Sequence, residues 1–338
     1  MTRSAFVTGA TGFLGLNLIA ELSRGGWDIT ALHRAGSDLR YLRRFPVRPV
    51  VGALGDLASI EAAMPRGVDV VFHLAADVSQ WSRNNDRQMQ TNVRGTRHVV
   101  EAALRGGAGR FVHTSSLIVY GLSGPQFDET APWGERESWH GYMRSKILAE
   151  DEVRAGVSRG LDAVVLNPAH VVGRYDQNNW SRLFRLTVQG KLRFVPPGRG
   201  SFAHGAEVAR AHVAAATSGR IGENYLLAGA DASYREVVRI IAELTGRAFD
   251  PRPVPAPLLR VVAKTLDWIS AYSRVEPLVT SEAAALLCAD TTCRSDKAIR
   301  DLGYRPVPLR QMLEDCHRWL ADEGLLQAWG ERRCYSRP

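Results

Sequence analysis

Short runs of β-branched and apolar residues alternate along the first half of the chain with stretches whose apolar positions recur every three or four residues. Ser4–Thr8 predicts a strand, and Leu16, Leu18, Ile19 and Leu22 predict a helix directly behind it. Further strands are expected at Asp28–Leu32, Pro49–Gly52, Val68–Ala76, Gly109–Ser116 and Asp162–Leu166. One long helix is expected over about Asn84 to Arg105, and another carries Tyr142 and Lys146. Strands separated by helices at this spacing imply a parallel sheet with right-handed crossovers, so the fold class is α/β, a doubly wound (Rossmann) sheet.

The alternation lapses after about Tyr175. Gln177–Trp180 and the Pro196-Pro197-Gly198 turn read as loops, Ala206–Thr217 as a helix, Asn224–Leu227 as a returning strand and Ser233–Gly246 as a helix. Pro251, Pro253, Pro255 and Pro257 read as a hinge, followed by a mostly helical end. The expected division is a cofactor domain over 1–168 plus about 203–232. A smaller, mostly helical substrate-binding or lid region takes about 169–202 plus 233–338. Within it, Leu258, Leu259, Val262, Leu266 and Ile269 share one side of a helix that could be lid, core packing or a membrane-surface element.

Composition narrows the class. With 338 residues, 45% of them hydrophobic, the chain can bury a large core. No apolar run reaches the length of a membrane span and no leader precedes Ser4, so a soluble, cytoplasmic protein is expected. Cys288, Cys293, Cys316 and Cys334 lack a zinc or redox spacing and are expected as reduced thiols; no metal is expected. The net charge of +8 comes from arginines scattered along the chain, since only Lys146, Lys191, Lys264 and Lys297 are lysine. Scattered charge without a basic block argues against nucleic acid and leaves acidic small ligands open.

The chemistry begins at Gly9-Ala10-Thr11-Gly12-Phe13-Leu14-Gly15, placed between a strand and a helix. Gly9 permits the tight turn, Gly12 lets backbone approach a pyrophosphate and Gly15 lets helix and strand pack closely, which is the logic of dinucleotide binding. The second strand ends at His33-Arg34, where an NAD site usually places a carboxylate against the ribose. Arg34, with His33 and Ser37, offers charge and donors to a 2′-phosphate instead, favouring NADP(H) over NAD(H). Asp56, beside Leu57, could accept from the adenine amino group, and Leu74, Ala75 and Ala76 are small or apolar where backbone must pass close to a cofactor. Tyr142 and Lys146, four apart on one helix, share a face. The ammonium should favour the phenolate, equipping Tyr142 for proton transfer at a carbonyl or carbinol. Asn92 either caps locally or joins a buried relay, and Thr114-Ser115-Ser116 sets hydroxyls at a strand's carboxyl end.

With the glycine loop, the Asn92 segment, Thr114-Ser115-Ser116 and Tyr142-to-Lys146 in this order, nearly the whole chain resembles the extended short-chain dehydrogenase/reductase family. His73-Leu74-Ala75-Ala76, Asn92-Val93-Arg94-Gly95-Thr96 and Leu302-Gly303-Tyr304 are similar to the branch holding dihydroflavonol 4-reductases, 3β-hydroxysteroid dehydrogenases, 3-oxoalkanoate reductases and hopanoid-associated sugar-epimerase-like proteins. The resemblance implies Ser116 as the catalytic hydroxyl, with Ser115 second choice, Tyr142 as acid/base and Asn92 in a proton-relay position. It implies Lys146 on the nicotinamide ribose, Asn167, Pro168 and Val171 among the cofactor residues, and a homodimer. Relatives often have Arg-Pro where this chain has Asn167-Pro168, so a contact of that arginine is in question.

Trp81, Leu117, Trp139 and Trp180 are expected to bring apolar surface to the substrate mouth, with Val78 among the substrate residues and His140 and His170 as candidates to hydrogen-bond the substrate. These features lead to an NADP(H)-dependent oxidoreductase interconverting a ketone and a secondary alcohol on a largely apolar substrate, steroid-, flavonoid- or 3-oxoacyl-like. The enzymatic alternative is a nucleotide-sugar epimerase or dehydratase using the same site with tightly bound NAD. A cofactor-sensing binding protein is the non-enzyme alternative, and an intact Ser116, Tyr142 and Lys146 argues against it.

Overall fold

Seven parallel strands form the centre of the computed structural model, which describes residues 2–122, 124–192, 194–248 and 252–326. Their order across the sheet is Asn224–Leu227, Ala163–Pro168, Arg110–Thr114, Val70–His73, Ser4–Thr8, Asp28–His33 and Arg48–Val51. Pairing is parallel throughout, with Thr8 opposite His73, His73 opposite His113 and Thr114 opposite Leu166. Chain order reverses at Ser4–Thr8, so the crevice at the carboxyl ends of the central strands is the topological switch point.

Alternation along the strands explains why both faces are covered. Ala5, Val7, Val70, Phe72, Val112, Val164 and Leu166 join one apolar cluster, whereas Phe6, Val71, Phe111, Ala163 and Val165 join another on the opposite face. The first cluster is closed by helices Phe13–Arg24 and Gly205–Ser218, through Leu16, Ile19, Val208 and Ala211. Helices Leu57–Ala63, Gly95–Gly106 and Gly141–Ser158 close the second through Ile60, Val99, Val100 and Val153. A sheet buried on two sides needs such near-continuous apolar strands.

Several expectations change in the remainder. The region expected to be mostly helical also builds a small sheet: Arg199–His204 pairs with Ala230–Ser233, His170–Val172 and Asp290–Thr291. These strands are short and partly polar, so periodicity gave little sign of them. The proline-rich stretch is not a free hinge, because Arg252–Pro253 pairs with Phe194–Val195; Pro251 lies outside the described residues. Pro255 precedes, and Pro257 opens, the helix Ala256–Ser273, where a missing amide hydrogen costs nothing. The helix expected over 84–105 is interrupted by a π segment at Met89–Arg94. Cys288, Cys293 and Cys316 are free thiols, and Cys334 lies outside the described residues. Among the described residues no helix is long and apolar enough to cross a membrane, and no group of three or more His, Cys, Asp or Glu could hold a metal ion.

Candidate active site

Gly9 has φ +72°, and a Cβ there would lie 2.7 Å from the Ala75 nitrogen. A Cβ on Gly15 would lie 2.1 Å from the Gly9 carbonyl oxygen, so turn, helix and the Leu74-Ala75 segment can approach only without side chains. Gly12 differs: it is exposed, and a Cβ there would meet only the Gly9 oxygen at 3.3 Å. It caps the Phe13–Arg24 helix without a side-chain hydrogen bond, and no acidic residue occupies the first turn. Open backbone at an uncapped helix N-terminus fits the pyrophosphate of a dinucleotide. Thr11, Phe13 and Leu14 are part-buried around it.

At the end of the second strand Arg34 is exposed and paired with no carboxylate among the described residues. Ser37 N donates to the Arg34 carbonyl, closing a turn around Gly36, and His33 Nδ1 lies 3.0 Å from the same oxygen. Asp38, the carboxylate of this turn, is held by Arg40. Asp56, exposed, caps the Leu57–Ala63 helix through Oδ1, which accepts from Ser59 N at 3.3 Å.

The Gly141–Ser158 helix starts at His140, whose Nδ1 accepts from Met143 N at 3.4 Å. The Asn85 side-chain amide packs directly against Gly141, and a Cβ there would displace it. The helix buries Ser145, Lys146 and Glu150 and leaves Tyr142 half-buried at the crevice. Tyr142 and the part-buried Ser116 sit side by side at the crevice, while Leu117, Ile118, Val119 and Met143 pack around them. Ser116 Oγ also accepts from Ile118 N, capping the turn Leu117–Tyr120 and fixing the hydroxyl. Ser115, buried, contributes instead to the environment of Glu150.

The electrostatics differ from the pattern of residues. Burial pushes the Tyr142 phenol up to about 12, with the neighbouring Ser116 hydroxyl opposing it, and Lys146 does not offset that push. Lys146 Nζ donates to the Thr114 carbonyl at 2.9 Å. Its own burial brings it down to about 8, against the pull of Glu150. Sequence spacing shows that two side chains share a face, but not how much of each the fold desolvates.

Asn92 Nδ2 donates to the Asp77 carbonyl and to Ser145 Oγ, each at 2.9 Å, while its Oδ1 accepts from Asp77 N at 2.7 Å. Ser145 Oγ in turn donates to the Tyr142 carbonyl. Asn92 thus ties the loop after the fourth strand to the Tyr142 helix, and the π segment turns its side chain inward. Asn167, expected at the cofactor, is fully engaged inside: it donates to the Ser116 carbonyl and Glu150 Oε1 and accepts from Asn224. Pro168 is buried beside it and Val171 is part-buried, while Thr114 Oγ1 is 2.7 Å from His212 Nε2. Glu150 and Asn224, which complete this network behind Ser116, carry no motif signal of their own. Only the fold brings residues 74 positions apart within 2.8 Å.

The expected substrate residues divide. Val78 and Trp139 are exposed and Trp81 is part-buried. Leu117 is buried beneath Tyr142, while Trp180, part-buried, stacks on Tyr234 and meets Phe202 edge-on. His140 is an enclosed helix cap, and His170 packs against Trp180 and Phe202 with Nε2 3.2 Å from Thr291 Oγ1. Burial brings both imidazoles down to about 4. A concavity lined by Arg3, Trp27, Asp69 and Asp162 lies at the amino ends of the strands, away from Ser116 and Tyr142.

The chain as a whole is similar to known proteins. Over 96% of its length the chain is 32% identical to sterol demethylase protein B of Methylococcus capsulatus, covering 100% of that protein. It is 30% identical to a 3β-hydroxysteroid dehydrogenase/Δ5→4-isomerase of Mycobacterium tuberculosis over 92% of this chain and 88% of that one. A nucleoside-diphosphate-sugar epimerase structure from Pseudomonas aeruginosa superimposes with a TM-score of 0.79, 24% identity and coverage of 96% and 99%, a likeness of fold alone. Residues 5–228 match the family pattern itself, and the chain belongs to the NAD dependent epimerase/dehydratase family, as an NAD(P)-dependent oxidoreductase.

Proposed function

We propose that the protein is an NADP(H)-dependent reductase of an apolar ketone, working in the carbonyl-to-secondary-alcohol sense with the reverse reaction available. The observation that carries this reading is the pairing of the Ser116 and Tyr142 hydroxyls at the crevice, where Ser116 opposes the upward push of burial on the phenol and apolar packing lies beneath both. When bound, the dinucleotide supplies hydride to the carbonyl carbon. Ser116 and Tyr142 hold the carbonyl oxygen, and Tyr142, protonated at neutral pH by virtue of its burial, donates the proton that completes the alcohol. Lys146, a cation below about pH 8, orients the ribose side of the cofactor and stabilises negative charge developing at the pair. The names of the sterol and hydroxysteroid relatives support an apolar substrate for this chain.

Turnover tests the reading directly. With steroid, flavonoid or 3-oxoacyl ketones, NADPH absorbance should fall in proportion to alcohol formed. Purified protein that instead carries tightly bound NAD and epimerises a nucleotide-sugar, with no net change in cofactor, overturns it.

Cofactor choice gives a second, separable expectation. Arg34 is exposed and unpaired where a 2′-phosphate would lie, and a charge-assisted contact of that kind contributes on the order of 1.5–3 kcal/mol. Arg34→Ala should therefore weaken NADPH binding about tenfold or more and leave NADH nearly unchanged. Fluorescence titration of both cofactors decides it, and equal losses remove Arg34 from the assignment.

A further inference from the structure

The helix Ala256–Ser273 was expected to gather Leu258, Leu259, Val262, Leu266 and Ile269 on one side. Instead Leu259, Ala263 and Ser270 face inward, Leu266 is part-buried, and Leu258, Val262 and Ile269 are exposed. At 100° per residue the inward positions cluster around one direction. Trp268, Val261, Tyr272, Thr265, Leu258, Ile269 and Val262 fall on a band that runs from the side opposite that direction round to its flank. This outward band is apolar and accessible: Val261 is 62% exposed, Trp268 67% and Tyr272 78%. Val275 and Leu278 continue it beyond the helix. A helix that already buries one face in its own protein normally turns charge to water on the other. A contiguous apolar face of this kind marks a surface that docks.

Charge and position identify the occupant. The segment carries exposed Arg252, Arg260, Lys264 and Arg274 against only Asp267 and Glu276, on a chain of net charge +8. Asp267 is spent in capping, with Oδ2 accepting from Ser281 N, and Glu276 lies near Arg87. Aromatic and aliphatic side chains flanked by exposed cations are the composition of a helix lying in the headgroup layer of an anionic bilayer. The helix is also tied to the substrate side of the fold. Arg83 Nη1 donates to the Ala271 carbonyl at 3.1 Å, and Thr280 Oγ1 donates to the Gln80 carbonyl, so both anchors are in the loop that holds Val78 and Trp81. From the next helix, Glu282 reaches within 3.6 Å of His140, next to Tyr142.

We propose that the outward face of Ala256–Ser273 seats the protein on an anionic membrane surface, with the site mouth beside the lipid from which an apolar substrate enters. The link to substrate entry rests on the reductase reading, but the docking itself is read without turnover, so the two can fail separately. The test is flotation of the full chain with vesicles of phosphatidylcholine alone and of phosphatidylcholine with phosphatidylglycerol. Binding is expected to the anionic vesicles and to weaken as salt rises. The combined variant Val261→Glu, Trp268→Glu, Tyr272→Glu should lower the bound fraction about tenfold or more, and Arg260→Glu with Lys264→Glu should act likewise. All five side chains point away from the core, and an unchanged melting temperature verifies that each variant is folded. Equal flotation of wild type and variants, or no flotation of the wild type, overturns the proposal. A wild-type dimer that ignores vesicles and that the triple variant splits into monomers assigns the face to a second copy instead.

Discussion

Tyr142→Phe should lower kcat for ketone reduction by about 10²–10⁴ while leaving cofactor binding largely intact. The phenyl ring keeps the packing with Leu117, Ile118 and Met143 and removes only the hydroxyl that Ser116 contacts. What is lost is the proton donor at the carbonyl oxygen, so the deficit should appear in the chemical step and equally in kcat and kcat/KM. Burial holds the phenol near 12, well protonated at neutral pH, which suits donation in the reductive direction. The oxidative direction has to remove that proton from a reluctant group and should be slower at neutral pH and rise with alkalinity. Ser116→Ala should cost about 10² through loss of one positioned donor to the developing oxyanion. Single-turnover measurement with NADPH separates chemistry from product release. A Tyr142→Phe enzyme within a few-fold of wild type removes Tyr142 from the acid role.

The frame was legible because it obeys local rules. A sheet buried on both faces must be written in apolar runs, and the close approaches at Gly9 and Gly15 admit no side chain, so both left plain marks in the sequence. The helical spacing of Tyr142 and Lys146 was equally plain. What could not be read is the environment each group ends in. Asn167 follows the sixth strand as a cofactor residue would, yet Glu150 and Asn224, distant in sequence, claim its amide from within. Trp180 sits in a stretch that reads as a loop over the mouth, yet Tyr234 and Phe202 arrive from later elements, one stacking on it and the other meeting it edge-on. The split of the Ala256–Ser273 helix into two apolar sides has the same cause, since a wheel shows which residues share a face and not which face meets the core. The small sheet around Arg199–His204 is held by pairings to Asp290–Thr291 and Ala230–Ser233 that no local pattern encodes.

The charge on Lys146 should control activity and stability in opposite directions across one pH window. Burial holds its ammonium near 8, well below the ordinary 10.5, and Glu150 only partly offsets this. Below about 8 the folded protein carries a buried cation beside neutral His73 and His113, and this is the form that can orient a ribose and stabilise an oxyanion. As pH rises through 8 the folded chain releases the proton, and kcat/KM for reduction should fall with that apparent pKa. Between 8 and 10.5 the unfolded chain still holds the proton that the folded chain has lost, so this residue's contribution to stability rises with pH. The span of about 2.5 units corresponds to roughly 3 kcal/mol at most for one enclosed group. Cys293, which burial holds up to about 12, pulls the total the other way in the same window. The comparison that isolates Lys146 is therefore wild type against Lys146→Met. The methionine variant should lose about 10²–10⁴ in rate, lose the titration near 8, and show its greatest relative stability below pH 8, with the gap closing toward 10.5. Lys146→Arg, cationic throughout, should retain part of the rate with no fall through 8. A wild-type kcat/KM that stays level from neutral pH to well above 8 shows that the charge on Lys146 is not what the reaction uses.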